Sequence, residues 1–133
     1  MRRMLEDLLW LARFDASKKS PDVEPVDLAV MAAQAVDRFG AIAETRHLAI
    51  DLAVPPDGAR VALTVDDSGP GIPETERTRI FDRFHRATDS HGGAGLGLAI
   101  ADAIVRATGG RWKVASAPDG GARMGVSWSR ALA

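Results

Sequence analysis

The sequence predicts an α/β fold, a two-layer sandwich with helices on one face of a mixed sheet. Three observations predict it. Segments whose apolar residues recur three and four apart alternate with segments in which they recur every second residue. The order along the chain is helix, strand, strand, glycine-rich segment, helix, hairpin. Glycine clusters at 69–71, 92–97, 109–110 and 120–121 punctuate these segments. At 133 residues the chain is long enough for one core and too short for two ordinary domains.

Leu5, Leu8, Leu9 and Ala12 stand at helical spacing, so residues 3–16 read as an amphipathic helix. A lone helix of that length is marginal in water. Its stripe therefore packs on the rest of the chain or on a second copy. Residues 17–25, with two prolines and no periodicity, read as a linker. Asp27 reads as an N-cap, and Leu28, Met31, Ala32, Ala35, Phe39 and Ile42 predict a helix to about Glu44. His47–Val54 alternates as a strand, with Leu48, Ile50 and Leu52 on one face, and Pro55–Gly58 is a turn.

Val61, Leu63 and Val65 form the next strand, which runs into Asp66-Asp67-Ser68-Gly69-Pro70-Gly71-Ile72. The helix from Leu96 to Thr108 is apolar nearly all round, with Asp102 and Arg106 on its one wet face. Gly109-Gly110 ends it. Arg111–Ala117 and Ala122–Ser129 close the chain as a hairpin.

Bulk properties exclude several classes. A net charge of -1 gives no global field for nucleic acid or an anionic membrane. With no cysteine, disulfides and thiolate metal sites are excluded. No apolar run reaches the roughly 20 residues that span a bilayer, and the N-terminus does not read as a signal peptide. The expectation is a cytoplasmic protein, or the cytoplasmic end of a longer one.

Chemistry concentrates in two loops. A carboxylate at a strand end, here Asp67, can accept a hydrogen bond from the exocyclic amine of adenine. Gly69 and Gly71 let the backbone turn sharply and lie close against a flat base. A plain Asp-Gly turn has the same composition, so the residues alone leave both readings open. In Gly92-Gly93-Ala94-Gly95-Leu96-Gly97-Leu98, glycines expose backbone N–H groups at the positive end of the following helix, the physical logic of a phosphate cradle. A hinge whose glycines permit close packing is the alternative. The pattern fits neither the P-loop nor the dinucleotide fingerprint.

Between the loops, Arg79, Arg83, His85 and Arg86 are candidate phosphate partners, or simply solvated cations. Phe81 and Phe84 are placed to dock this segment on the body. His85 and His91 lack the partners a metal site needs, and no nucleophile–base arrangement emerges.

Asp-Ser-Gly-Pro-Gly-Ile at 67–72, Ile-Phe-Asp-Arg-Phe at 80–84 and Gly-Gly-Ala-Gly-Leu-Gly-Leu-Ala-Ile at 92–100 resemble, in order and near the usual spacing, the G1, F and G2 boxes of sensor histidine kinases. Leu8–Ala16 resembles the end of that family's second dimerisation helix. The resemblance implies the Bergerat-type sandwich preceded by a helix. Residues 1–16 would end the dimerisation helix, 17–25 would be the linker and 26–133 the ATP-binding domain.

It implies ATP as ligand and Asp67 as the group on the adenine amine. Gly69, Gly71 and Ile72 would belong to the same loop, with Phe84 and Arg86 in the lid segment spanning 73–92. Gly93, Ala94, Gly95, Leu96, Gly97 and Leu98 would border the phosphates. The implied reaction moves the γ-phosphate to a histidine and then to a response regulator. The implied partners are a histidine-bearing dimerisation domain, its own or another chain's, and a second copy through residues 3–16. Nucleic acid is not among them.

Two departures matter. The resemblance places the phosphoacceptor histidine upstream of the counterpart of Leu5, where this sequence has no histidine. The family's Asn-x-x-x-Asn-Ala helix, whose asparagine holds Mg²⁺, has no counterpart, since only Ala53–Arg60 separates the two strands. The fold is thus expected to be internally truncated and the sheet partly uncovered. Turnover is expected to be impaired or to act in trans. The alternative is a catalytically silent scaffold module, or an internally deleted kinase fragment.

Overall fold

The computed structural model describes residues 2–17, 24–45, 49–53, 60–86, 95–118 and 120–129. The chain divides into two compact units, one from residues 1–22 with 73–108 and the other from 23–72 with 109–133. The expected turn at 55–58, together with His47, Leu48, Val54, His91, Gly93 and Ala94, lies outside the described residues.

The first unit is built on two helices, α1 (Arg2–Ser17) and α3 (Gly97–Ala107). Leu11 is 1% exposed and Leu96 2%; with Ala99 they form a core on which Met4, Leu8, Ile100 and Ala103 pack. The packed stripe of α1 is therefore 4, 8 and 11, one face over from the expected 5, 8, 9 and 12. Leu5 and Leu9 are exposed. Trp10 stacks on Phe14 with ring centroids 4.9 Å apart. The stripe thus has a partner within the chain, α3. That helix is less buried than its composition suggests, because Ile104 is exposed. Arg106 and Asp102 pair at 2.9 Å as expected. Between the helices, a short 3₁₀ turn at Glu74–Glu76 leads into successive turns anchored by the buried Ile80.

The second unit holds α2 (Leu28–Thr45) and four strands, β1 (Ala49–Ala53), β2 (Arg60–Asp66), β3 (Arg111–Ser116) and β4 (Ala122–Ser129). Asp27 caps α2: its Oδ1 accepts from Ala29 N at 2.9 Å and Val30 N at 3.3 Å, satisfying donors the helix cannot. The sheet order is β1-β2-β4-β3 and every pairing is antiparallel, so the described sheet is not mixed.

Residues directly opposite in such pairs share a face. One face collects Leu63 with Val126, Val65 with Met124, Val61 with Trp128 and Trp112 with Val126. The other carries Arg60, Thr64, Asp66, Arg123 and Ser127. β2 is an inner strand, yet every one of its residues is only half-buried. Along α2, Met31, Phe39 and Ile42 are exposed although they belong to its apolar stripe. Both observations agree with the expected incomplete cover.

On the polar face Arg123 forks onto Asp66, Nε to Oδ1 at 2.7 Å and Nη2 to Oδ2 at 2.6 Å. The hydrogen bonds from Arg123 hold the Asp66 carboxyl below its ordinary value of 3.8, helped by the positive charge and opposed by partial burial. A depressed carboxyl stabilises the fold fully above the unfolded pKa and loses that contribution as pH falls through the folded one. Acid unfolding of the wild type should therefore steepen below the ordinary 3.8. Arg123→Leu should flatten that limb, and identical acid limbs in urea titrations would refute the coupling. Leu11→Ala should lower urea stability by about 2–4 kcal/mol, since it removes a side chain at the centre of a small core. A change under about 0.5 kcal/mol would remove Leu11 from the core.

Candidate functional site

The first candidate loop leaves the end of β2. Strand alternation sends Asp66 and Asp67 to opposite faces, so Arg123 takes the first and leaves the second available. Asp67 is fixed by three bonds. Its backbone N donates to Ala122 O at 3.0 Å, and its Oδ1 accepts from Gly69 N at 3.0 Å and Ala122 N at 2.9 Å. Among the described residues nothing donates to Oδ2. The carboxylate is thus locked in one rotamer with one oxygen free to accept.

Glycine is required at two places around this group. Gly71 has φ +79, the left-handed region that favours glycine. At Gly121 a Cβ would overlap the Asp67 carbonyl and come within 2.5 Å of Asp67 Oδ1. Gly121 positions the candidate Asp67 and was missed in the sequence reading; the only signal was the Gly120-Gly121 pair in a hairpin turn. Gly69 is less constrained, its Cβ position lying 3.3 Å from Asp67 Oδ1. Ile72 is half-buried.

The second candidate loop belongs to the other unit. Of its expected residues, Gly95, Leu96, Gly97 and Leu98 are described. Gly95 has φ +75, accepts from Phe84 N at 3.0 Å, and would place a Cβ 2.9 Å from His85 O. Its glycine is demanded by the close passage of the 84–85 backbone, which is the packing reading rather than the phosphate one. Gly97 differs: a Cβ there would meet nothing within 4 Å. Among the described residues, packing does not require that glycine or close the first turn of α3. Leu96 is the buried anchor between them, and Leu98 is half-buried.

The lid segment departs from expectation in its contacts. Arg83 pairs with Asp15 of α1, His85 Nε2 lies 2.5 Å from Glu76 Oε2, and Arg79 lies 3.9 Å from Glu76 Oε1. Of the four expected phosphate partners, only Arg86 is exposed with no ion pair among the described residues. Phe84 does not dock the segment: it is exposed, at φ 63, a conformation rare for a bulky residue. Ile80 is the buried residue of the segment, and Phe81 is half-buried. Glu76 and Ile80 were missed because pairings nine residues apart, or set by tertiary packing, leave no local pattern.

The asparagine that the resemblance assigns to Mg²⁺ has no counterpart here. The sequence contains no asparagine, and no cluster of three or more His, Cys, Asp or Glu suited to a metal occurs among the described residues. No described helix is long and apolar enough to cross a membrane.

Residues 27–131 match the model of the histidine kinase-, DNA gyrase B- and HSP90-like ATPases. The sensor-type histidine kinase PrrB of Mycobacterium tuberculosis is 34% identical over 133 residues, covering 90% of this chain and 30% of PrrB. The probable sensor histidine kinase TcrY of the same species is 32% identical over 157 residues, covering 87% of this chain and 33% of TcrY. That alignment is longer than the 133-residue chain, so TcrY carries residues with no counterpart here. The chain spans about a third of the length of the curated relatives it matches. Among solved structures, full-length ShkA in complex with AMPPNP shares the fold, with TM-score 0.78 and 23% identity over 98% of this chain and 36% of that one. The chain belongs to the histidine kinase-, DNA gyrase B- and HSP90-like ATPase family, as an ATP-binding domain of the kind found in sensor histidine kinases.

Proposed function

We propose that this chain binds ATP as the nucleotide-binding part of a two-component sensor kinase, with Asp67 as the adenine acceptor. The observation that carries the reading is the locked Asp67 carboxylate. Two backbone amides fix Oδ1, so Oδ2 accepts from an exocyclic amine with little further loss of rotamer freedom. Gly69, Gly71 and Ile72 line the base. Gly93, Ala94, Leu96, Gly97 and Leu98 border the phosphates, with Gly95 shaping their loop and Gly97 giving access to the N-terminal end of α3. Phe84 and Arg86 belong to the lid, and Arg86 is its available cation. The fold of ShkA, solved with AMPPNP, supports the nucleotide assignment.

The wider activity follows from the relatives: the γ-phosphate passes to a histidine on a dimerisation helix, its own protein's or another kinase's, and then to a response regulator. Leu5 and Leu9, exposed on α1, favour association with a second copy through that helix. The cytoplasm, where ATP and response regulators reside, is the compartment this reading requires. Because the chain lacks the asparagine that the resemblance assigns to Mg²⁺, phosphoryl transfer is impaired. The same lack favours a second reading, a module that binds nucleotide or kinase without turnover.

Calorimetric titration of ATP should give saturable binding, and Asp67→Asn should weaken it about tenfold with unchanged circular dichroism, as expected from losing one charged acceptor. Absence of ATP binding at millimolar concentration would end the nucleotide reading; equal affinity in the mutant would end the Asp67 assignment. Gly121→Ala should abolish ATP binding by displacing Asp67, with amide shifts in NMR spectra confined to residues near 67 and 121. Gly97→Val should reduce ATP affinity without lowering Tm, because its side chain meets open space.

A further inference from the structure

We infer that the polar face of the sheet, around Arg60, Arg111 and Lys113, is a docking surface for an acidic segment of a partner protein. Arg111 opposes Ser127 and Lys113 opposes Gly125, while Gly125 also opposes Thr64 of β2. These residues therefore share the face that carries Arg60 and Arg123. Asp66 is the one anion there whose side chain is described, and Arg123 occupies it. Positive charge thus gathers toward β3, in a chain whose net charge is only -1.

One detail says more than the charge. Among the described residues Arg60 is held by neutral oxygens alone: Nη2 donates to Ser127 Oγ at 2.9 Å and to the Ser127 carbonyl at 3.1 Å, and Nη1 to Ser129 Oγ at 3.4 Å. It is an immobilised cation with no described carboxylate, so its ordering precedes any partner. Lysine on an edge strand also blunts edge pairing, but that does not account for an arginine fixed on inner strand β2.

The chemistry selects the partner class. Guanidinium forks match carboxylates, a geometry that Arg123 and Asp66 already display on this face. Trp112 and Trp128 belong to the opposite face and Trp10 to α1. The polar face therefore lacks the aromatic platforms that single-stranded nucleic acid uses and the apolar wedge that seats a protein in a membrane surface.

The test uses the full chain with poly-L-glutamate as probe, followed by fluorescence anisotropy. Binding should weaken steeply between about 50 and about 300 mM salt. Arg111→Glu with Lys113→Glu should weaken it at least about tenfold, as two reversed charges would. Arg3→Glu with Arg13→Glu on α1 changes net charge equally and should leave binding unchanged. Three results would overturn the inference: no binding to poly-L-glutamate, equal losses in the two double mutants, or tighter binding to DNA or phosphatidylserine vesicles. ATP titration of the same variants reads the nucleotide loops separately.

Discussion

The hairpin joining β3 to β4 closes against the end of β2 only because residue 121 has no side chain. From that approach follow the bonds from Ala122 to Asp67, the locked carboxylate and the register that runs from Asp66 opposite Arg123 to Arg60 opposite Ser129. β4 therefore serves two faces at once. Its apolar side chains complete the packing surface of the sheet, and its polar ones fix Arg60 and Asp66. A single inner strand thus couples the candidate base-recognition loop to the opposite, charged face.

Glycine has different meanings at different positions, and only geometry separates them. Gly71 supplies a backbone angle, Gly121 and Gly95 supply room for another stretch of backbone, and Gly97 supplies neither among the described residues. Gly97 is the position where a ligand gives the better account. The phosphate loop read from sequence therefore contains glycines of two kinds. Gly95 belongs to the architecture, and Gly97 to the chemistry proposed for it.

Much of this was legible in advance because it is local. Capping at Asp27, the hairpin, the strand boundaries at Ala122 and Ser129 and the three glycine- and Phe-containing motifs are all written in short windows of sequence. The face of α1 that packs was not, since adjacent leucine stripes at 4-8-11 and 5-9 are both apolar and only α3 decides between them. Nor were the pairings of Glu76 with His85 and Arg83 with Asp15, which depend on where turns place charged ends. The antiparallel sheet also differed from the mixed one expected. Strand direction is set by connections, and the short link between β1 and β2 permits only a hairpin-like return.

Leu96 stands between Gly95 and Gly97 and is also the residue buried against Leu11 of α1. One side chain is therefore shared by the glycine loop and by the seat of the N-terminal helix. Binding equilibria that share a structural element are reciprocal. Whatever bias an occupied loop places on α1, a displaced or repacked α1 returns to the loop by the same factor. An occupant of the loop that moved Leu96 would therefore be felt at the seat of α1, and a shift of α1 at the loop.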